Sequence, residues 1–448
     1  MFERVLVANR GEIAVRVIRA LRELDVEAVA VYSTADADAL HVRLADEAVC
    51  VGPPPAAESY LHIPSIVAAA QTTGCQAVHP GYGFLAENPA FVSACTDNDL
   101  VFVGPPAHVM TRMGDKVTAR QAMKAADVPT VPGTEGATTI TAAREAAEEL
   151  GFPVLLKAAA GGGGKGMRRV DVADELEDAF GAAAAEAQAA FGNPTLYIEK
   201  VLDPARHVEI QVLCDHHGSV LTLGERECSI QRRHQKLIEE TPSPALSPEL
   251  REEMEAAAER ACRAVGYVNA GTLEFLLGPD GRFAFIELNA RLQVEHPVTE
   301  LTTGIDIVRA QLQIASGEPL AVTGRAPRQG HSIEIRLNAE DPERDFMPAP
   351  GTVTRFRPAL GPGVRVDTFV EDGTRVPPYY DSLIAKLVVW DVDRTAAIER
   401  AVRALTETVI EGVPSTRELA ISVLRGDDFA SGVYSTSTLA GLMVESAA

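Results

Sequence analysis

The residues with the greatest density of chemical groups lie between Gly271 and Glu300. The stretch reads Gly-Thr-Leu-Glu-Phe-Leu-Leu, a Gly-Pro-Asp-Gly turn, then Arg-Phe-Ala-Phe-Ile-Glu-Leu-Asn-Ala-Arg-Leu-Gln-Val-Glu-His-Pro-Val-Thr-Glu. With a period of two, Ala284, Ile286, Leu288, Ala290, Leu292 and Val294 form one apolar series. Glu287, Asn289, Arg291, Gln293 and Glu295 form the other, following Phe283 and Phe285, as in a strand. If Gly278–Gly281 closes a hairpin, Leu277 pairs with Arg282 and Glu274 stands opposite Phe285. Glu274 and Glu287 then lie diagonally on one face, about 7–8 Å apart. Two like charges so placed repel unless a cation sits between them. Oxygen ligands from Glu274, Glu287 and Asn289 suit a hard divalent ion such as Mg²⁺, which completes its shell with phosphates and water. The competing reading is a solvated, charged strand face. The metal reading requires a phosphate-binding apparatus elsewhere in the chain.

The elements that must position these groups can be followed from the start. Val5–Ala8 and Val26–Tyr32 are strands flanking a helix over Gly11–Leu24, and β/α alternation continues to Val101–Gly104. This is a doubly wound α/β unit of about a hundred residues. The turn Asn-Arg-Gly-Glu after the first strand lacks Gly-x-Gly-x-x-Gly, which disfavours a dehydrogenase. His79–Asn88 is a glycine-punctuated loop, read on its own as a structural turn. Lys116 opens a helix; Ala122-Met-Lys-Ala125 within it resembles a biotinylation tetrapeptide but falls in a helical pattern, so Lys124 is read as a surface lysine.

Phe152–Met167 holds a strand ending in Lys157, then a run of glycines that could cover a triphosphate. It is not a Walker A loop, since Gly166 follows Lys165. The segment from about 130 to 202 reads as a small lobe able to swing. Over His207–Leu213, His207, Glu209 and Gln211 share one strand face. Glu225–Lys236 reads as a polar, basic loop in which Arg232, Arg233, His234 and Lys236 supply positive potential for an anion. Cys228 lies there with no activating neighbour in sequence, so an inert buried thiol is expected. The last hundred residues are α+β, with Ser332, Glu334, Arg336 and Asn338 on one strand face, and end in a short Ala-rich tail.

Composition narrows the function classes. At 448 residues with 46% hydrophobic content the chain is globular, with room for roughly two to four domains. A net charge of −22 argues against general nucleic-acid binding. Six scattered cysteines without metal spacing fit reduced thiols. With no membrane-length apolar run and no signal-peptide pattern, a cytoplasmic enzyme is expected.

Together, Met-Gly-Asp-Lys116, Lys157 with the glycine run, Glu-Cys-Ser-Ile-Gln-Arg-Arg-His-Gln-Lys236, Gly-Thr-Leu-Glu274-Phe, Asn-Ala-Arg291-Leu-Gln-Val-Glu295-His-Pro-Val-Thr-Glu and Arg336-Leu-Asn-Ala-Glu-Asp-Pro resemble biotin carboxylase. The likeness runs from Asn9-Arg-Gly-Glu to Pro377-Pro-Tyr-Tyr-Asp-Ser. It implies an N-terminal doubly wound domain over 1–113, an ATP-grasp domain over 114–330 with a mobile lid lobe, and a C-terminal biotin-carboxylase domain over 331–448. It implies ATP, Mg²⁺ or Mn²⁺ (two ions), and biotin on a carrier protein as substrate. Lys116, Lys157, Gly163 and Gly164 would hold the phosphates. Glu199, Lys200, Val201 and Leu202 would border the adenine, with His207, Gln231 and His234 towards the ribose and phosphates. Glu274, Glu287 and Asn289 would position the metal. Arg291, Gln293 and Val294 would hold bicarbonate, and Glu295 would act as its base. Lys236 and Arg291 would hold the carboxyphosphate, whose phosphate deprotonates biotin while Arg336 stabilises the enolate-like oxygen; Tyr82 is a further substrate contact. A carrier protein, a carboxyltransferase and a homodimer using Arg19, Glu23 and Arg365 are implied partners, although Gly361-Pro-Gly-Val-Arg365 lacks the aromatic residue that dimeric members can carry. The likeness points to an acyl-CoA carboxylase and fatty-acid synthesis. A carbamoyl-phosphate-type ligase and a non-catalytic nucleotide sensor are the rival readings.

Overall fold

The structure, a computed structural model, describes residues 1–134, 139–159 and 167–447. Short apolar runs at the start become the parallel strands Arg4–Val7 (β1), Glu27–Ser33 (β2), Glu47–Gly52 (β3), Ala77–His79 (β4) and Val101–Phe102 (β5), in the order β3-β2-β1-β4-β5. The helix Gly11–Glu23 packs its Ile13, Val17, Ile18 and Leu21 against this sheet. That is the doubly wound unit expected from the alternation.

A second, three-stranded antiparallel sheet holds Val154–Ala158 (β6), Met167–Val170 (β7) and Leu196–Lys200 (β8), ordered β7-β6-β8. Its apolar cluster is its own: Val154, Leu156, Val170 and Ile198 beneath Ala143, Ala147 and Ala183 of two covering helices. Small alanines let those helices lie close to the strands. The connection to the larger sheet runs through residues 129–134. There Pro129 O accepts from Phe285 N at 2.7 Å, and Pro132 O accepts from Lys200 N at 2.8 Å.

The largest sheet collects Arg206–Cys214 (β9), Val220–Arg232 (β10), Gln235–Thr241 (β11), Asn269–Leu277 (β12), Phe283–Asn289 (β13), Gly324–Arg325 (β14) and His331–Asn338 (β15). Its main path is β13-β12-β9-β10-β11-β15, continued by Leu383–Asp391 and Val364–Thr368, with β14 beside β10. One face is covered by the helix Pro248–Val265 through Met254, Ala257, Ala258 and Ala261. Across the other lies the helix His296–Thr303, whose Thr299 meets Arg226 of β10. No helix among the described residues is long and apolar enough to cross a membrane.

Several expectations need correction. The hairpin does not pair Leu277 with Arg282: the register is Leu277 with Phe283 and Phe275 with Phe285, then, after a bulge at Ile286, Glu274 directly opposite Glu287. In an unbroken strand Phe283, Phe285 and Glu287 would share one face. The extra residue separates them, sending Phe283 and Phe285 edge-to-face onto Phe275 in the core and Glu287 to the opposite side. The strand also ends at Asn289, so Arg291, Gln293 and Glu295 lie on a loop before the helix His296–Thr303. Glu225–Lys236 is not a loop but the β10–β11 hairpin, turned by Arg233 and His234 at φ 48° and 67°. The Ala-rich tail is mostly the helix Thr438–Ala447.

Candidate active site

The sheet register builds the site. Arg226 stands opposite Glu209, Glu209 opposite Glu274, and Glu274 opposite Glu287, so one cation and three carboxylates cross four strands in a row. Such a row is unstable without countercharge. Arg226, fully buried, donates to Glu209 at 2.6 Å and to Gln211 at 2.7 Å. From the far side Lys236 reaches over. Its ammonium contacts Glu209 at 2.5 Å, Glu295 at 2.6 Å, Glu274 at 2.9 Å and Gln293 at 3.0 Å. That is four acceptors for three N–H groups, so one contact is always shared. Burial disfavours the charged ammonium, yet Glu209, Glu274 and Glu295 raise its pKa well above the ordinary value. The Cys228 thiol is itself buried, and burial pushes its pKa far up, so little thiolate forms there.

Glu295 sits between two cations. Lys236 donates to its Oε1, and Arg336 donates to Oε2 at 2.9 Å. Burial opposes ionisation, but Lys236, Arg336 and Arg226 outweigh it and hold this carboxyl well below its usual range. Arg336 is fixed by a second carboxylate, its Nε donating to Glu239 at 2.7 Å. The loop that carries Glu295 is tied from outside: the fully buried Lys386 donates to Val294 O at 2.9 Å and pairs with Glu12 at 3.1 Å. Tyr82 hydrogen-bonds the same Glu12, and its ring lies 5.9 Å from the Lys386 ammonium.

On the other side of Glu274, four basic groups converge. His207 contacts Glu274 at 2.9 Å, and Gln231 meets the other His207 nitrogen at 3.2 Å. The His234 pKa is lowered by burial and by Lys157, His207 and Lys116. Lys116 is lowered by burial and by Lys157, with Glu287 and Glu199 opposing. Mutual repulsion among Lys116, Lys157, His207 and His234 is relieved by a polyanion, the role a triphosphate would fill. Glu199 at present takes that place for Lys157, at 2.6 Å, while also binding Arg120. Lys200 turns away, onto the carbonyls of Gly151 and Phe152. Val201 and Leu202 follow directly after β8. Gly163 and Gly164 lie outside the described residues.

The carboxylates fit a divalent ion. The Glu287 carboxyl is pushed up by burial and then by Glu274, and it makes no hydrogen bond among the described residues. Asn289 accepts from Arg291 at 3.2 Å, and its Nδ2 is buried with no hydrogen-bond partner among the described residues. Hard oxygens facing one another across a strand pair are the donors Mg²⁺ prefers. Two expected charges are elsewhere, however. Arg232 and Arg233 both turn to Asp345, because the tight hairpin points them off the site, and only His234 and Lys236 remain. Arg365 is engaged within the chain by Glu300 at 2.6 Å and Asp367 at 2.8 Å, whereas Arg19 and Glu23 are exposed. Sequence reasoning placed Glu209 on the face of His207 but gave it no role, and it missed Arg226, Glu239, Glu12 and Lys386. The strand register shows what Glu209, Arg226, Glu239 and Lys386 face, while Glu12, on the helix Gly11–Glu23, meets Lys386 only once the chain is folded.

Residues 1–110 match the biotin carboxylase N-terminal domain and residues 334–441 its C-terminal domain. Residues 115–323 match the carbamoyl-phosphate synthase L chain ATP binding domain. A biotin carboxylase of Nostoc sp. is 52% identical over 438 residues, covering 97% of this chain and 98% of that protein. The crystal structure of a Campylobacter jejuni biotin carboxylase–β,γ-ATP complex has a TM-score of 0.96 at 45% identity, covering 98% of this chain and 99% of the other. The biotin carboxylase domain dimer of Hydrogenobacter thermophilus 2-oxoglutarate carboxylase, with MgADP, ADP and bicarbonate, has a TM-score of 0.94 at 46% identity, covering 98% of each chain. The central match alone would also admit a carbamoyl-phosphate-type ligase; the two flanking matches decide, and the chain belongs to the biotin carboxylase family, ligases that carboxylate biotin in an ATP-dependent reaction.

Proposed function

We propose that this chain carries out the first half-reaction of a biotin-dependent carboxylase, transferring carboxyl from bicarbonate to biotin on a carrier protein. The observation that carries the assignment is Glu295, ionised and buried between Lys236 and Arg336 on a loop that also presents Arg291 and Gln293. Arg291 and Gln293 bind bicarbonate together with the Val294 backbone; a planar anion suits the guanidinium fork. When the anion draws Lys236 and Arg336 towards itself, Glu295 loses part of its countercharge. Its proton affinity then rises, and it can accept the bicarbonate proton. Lys236 and Arg291 hold the carboxyphosphate, and Arg336 holds the ureido oxygen of biotin, with Tyr82 beside it.

Lys116, Lys157, His207 and His234 receive the ATP phosphates, with Gln231 towards the ribose and the 199–202 segment beside the adenine. Glu274, Glu287 and Asn289 would hold Mg²⁺, which neutralises phosphate charge when bound. The domain limits 1–113, 114–330 and 331–448, with a lid at about 130–202, follow the same reading. The likeness to a dimeric domain supports a homodimer, and a carrier and a carboxyltransferase would complete the overall carboxylation. The final acceptor, an acyl-CoA or a keto acid, belongs to that carboxyltransferase. The deciding assay is ADP release by the purified chain with bicarbonate. Stimulation by free biotin supports the proposal; stimulation by ammonia without biotin would assign the carbamoyl-phosphate chemistry instead.

A further inference from the structure

Glu87 belongs to the N-terminal unit and lies 204 positions from Arg291, yet the two are joined. Glu87 Oε2 accepts from Arg291 Nε at 2.7 Å, and Oε1 accepts from Ala290 N at 2.9 Å. One carboxylate therefore grips the backbone just after β13 and the edge of the side chain that follows. The other Arg291 nitrogens are directed by their own surroundings: one donates to Leu292 O at 3.2 Å, the other to Asn289 Oδ1 at 3.2 Å. With Nε held, the guanidinium plane is fixed at three points.

The loop bearing Glu87 is built to stay in place. Asn9 donates to Pro80 O at 2.7 Å and Tyr82 O at 2.8 Å. Gly81 has φ +62°, and a Cβ there would lie 2.9 Å from the Asn9 amide. Directly after Glu87, the Asn88 side chain caps the helix Pro89–Thr96 by accepting from Ala90 N and Phe91 N. Phe84 stacks on Tyr60 at 5.0 Å. Glu87 thus projects, partly exposed, from a braced loop, and its location is not a consequence of Arg291 alone.

We infer that Glu87 is a positioning residue for bicarbonate, orienting Arg291 from a different domain. The inference rests on the reading of Arg291 as the bicarbonate fork. Outer-shell carboxylates that orient metal ligands are worth about 10–100-fold in metal affinity or activity, and an effect at the lower end of that range is expected for an oriented guanidinium.

The test measures biotin-stimulated, bicarbonate-dependent ADP release for the intact chain and for Glu87→Ala, Glu87→Gln, Arg291→Lys and the Glu87→Ala/Arg291→Lys double variant. Glu87→Ala should raise the KM for bicarbonate about tenfold while the KM for ATP moves less than about twofold. Glu87→Gln, which keeps an acceptor for Ala290 N, should fall between. The double variant should show less than the combined effect, because Glu87 acts through Arg291. If Arg291→Lys raises the bicarbonate KM but Glu87→Ala leaves it unchanged or lowers it, Glu87 has no such role and the bicarbonate site stands. Full additivity would likewise reduce Glu87 to a structural contact. If Arg291→Lys itself leaves the bicarbonate KM unchanged, the reading of Arg291 fails and the inference falls with it.

Discussion

Glu295 is bound by Lys236 on one oxygen and by Arg336 on the other, which makes it a weak base until an anion competes for those cations. Replacement by glutamine keeps the shape and an acceptor but cannot take a proton. Glu295→Gln should therefore reduce biotin carboxylation by about 10²–10⁴-fold, while equilibrium binding of ATP stays near that of the parent. Glu334 shows the opposite balance. It is fully buried, and neither oxygen has a hydrogen-bond partner among the described residues. Burial raises its pKa well above the ordinary value; Glu239 and Glu295 add to this, while Lys386 and Arg336 oppose it. The folded state thus holds the proton more tightly than the unfolded one. Its stability contribution is greatest below the unfolded carboxyl pKa and is lost as pH rises from there towards the folded value. Glu334→Gln removes that loss. Urea midpoints at pH 5 and pH 7 should show the variant gaining on the parent with rising pH, by up to about 1.4 kcal/mol per pH unit.

The polar residue types of the site were legible in the sequence because a strand's alternation displays them. What that alternation could not show was the bulge at Ile286, since an inserted residue is invisible until a partner strand defines the register. The conflict was nevertheless present: two phenylalanines and a glutamate at period two cannot all face one environment. The polar hairpin from Glu225 to Lys236 was misread as a loop for a related reason. Its charges are buried by pairing with groups distant in sequence, such as Glu227 with Arg206 and Lys236 with Glu295. The element also carries a packing test. A Cβ on Gly271, within β12, would lie 2.3 Å from the Tyr267 hydroxyl, which donates to Ala270 O at 2.9 Å. Gly271→Ala should force Tyr267 outwards and destabilise the protein by about 1–3 kcal/mol, seen as a lower urea midpoint.

Across the whole molecule an ionic series, buried around Lys386 and partly exposed at Asp306 and Arg365, joins regions far apart in the chain: Asp306 and Glu300 with Arg16, Glu300 with Arg365, Arg365 with Asp367, and Lys386 with Asp367 and Glu12. Lys386 is the junction, because it also donates to Val294 O. Lys386→Met leaves Glu12 and Asp367 short of countercharge and should cost about 3–5 kcal/mol. The Glu12→Gln/Lys386→Met double variant should recover part of that, as read from denaturation midpoints.

The continuity of the large sheet has a practical outcome. β11 hydrogen-bonds to β15, so Gln235–Thr241 is an interior strand only because His331–Asn338 lies against it. A polypeptide stopped at residue 330 would present a bare row of backbone donors and acceptors along Ile238–Thr241, ready to template strand addition by its own copies. Such a truncation should self-associate into insoluble material, so the catalytic centre is expected to survive only in a chain that retains its final quarter.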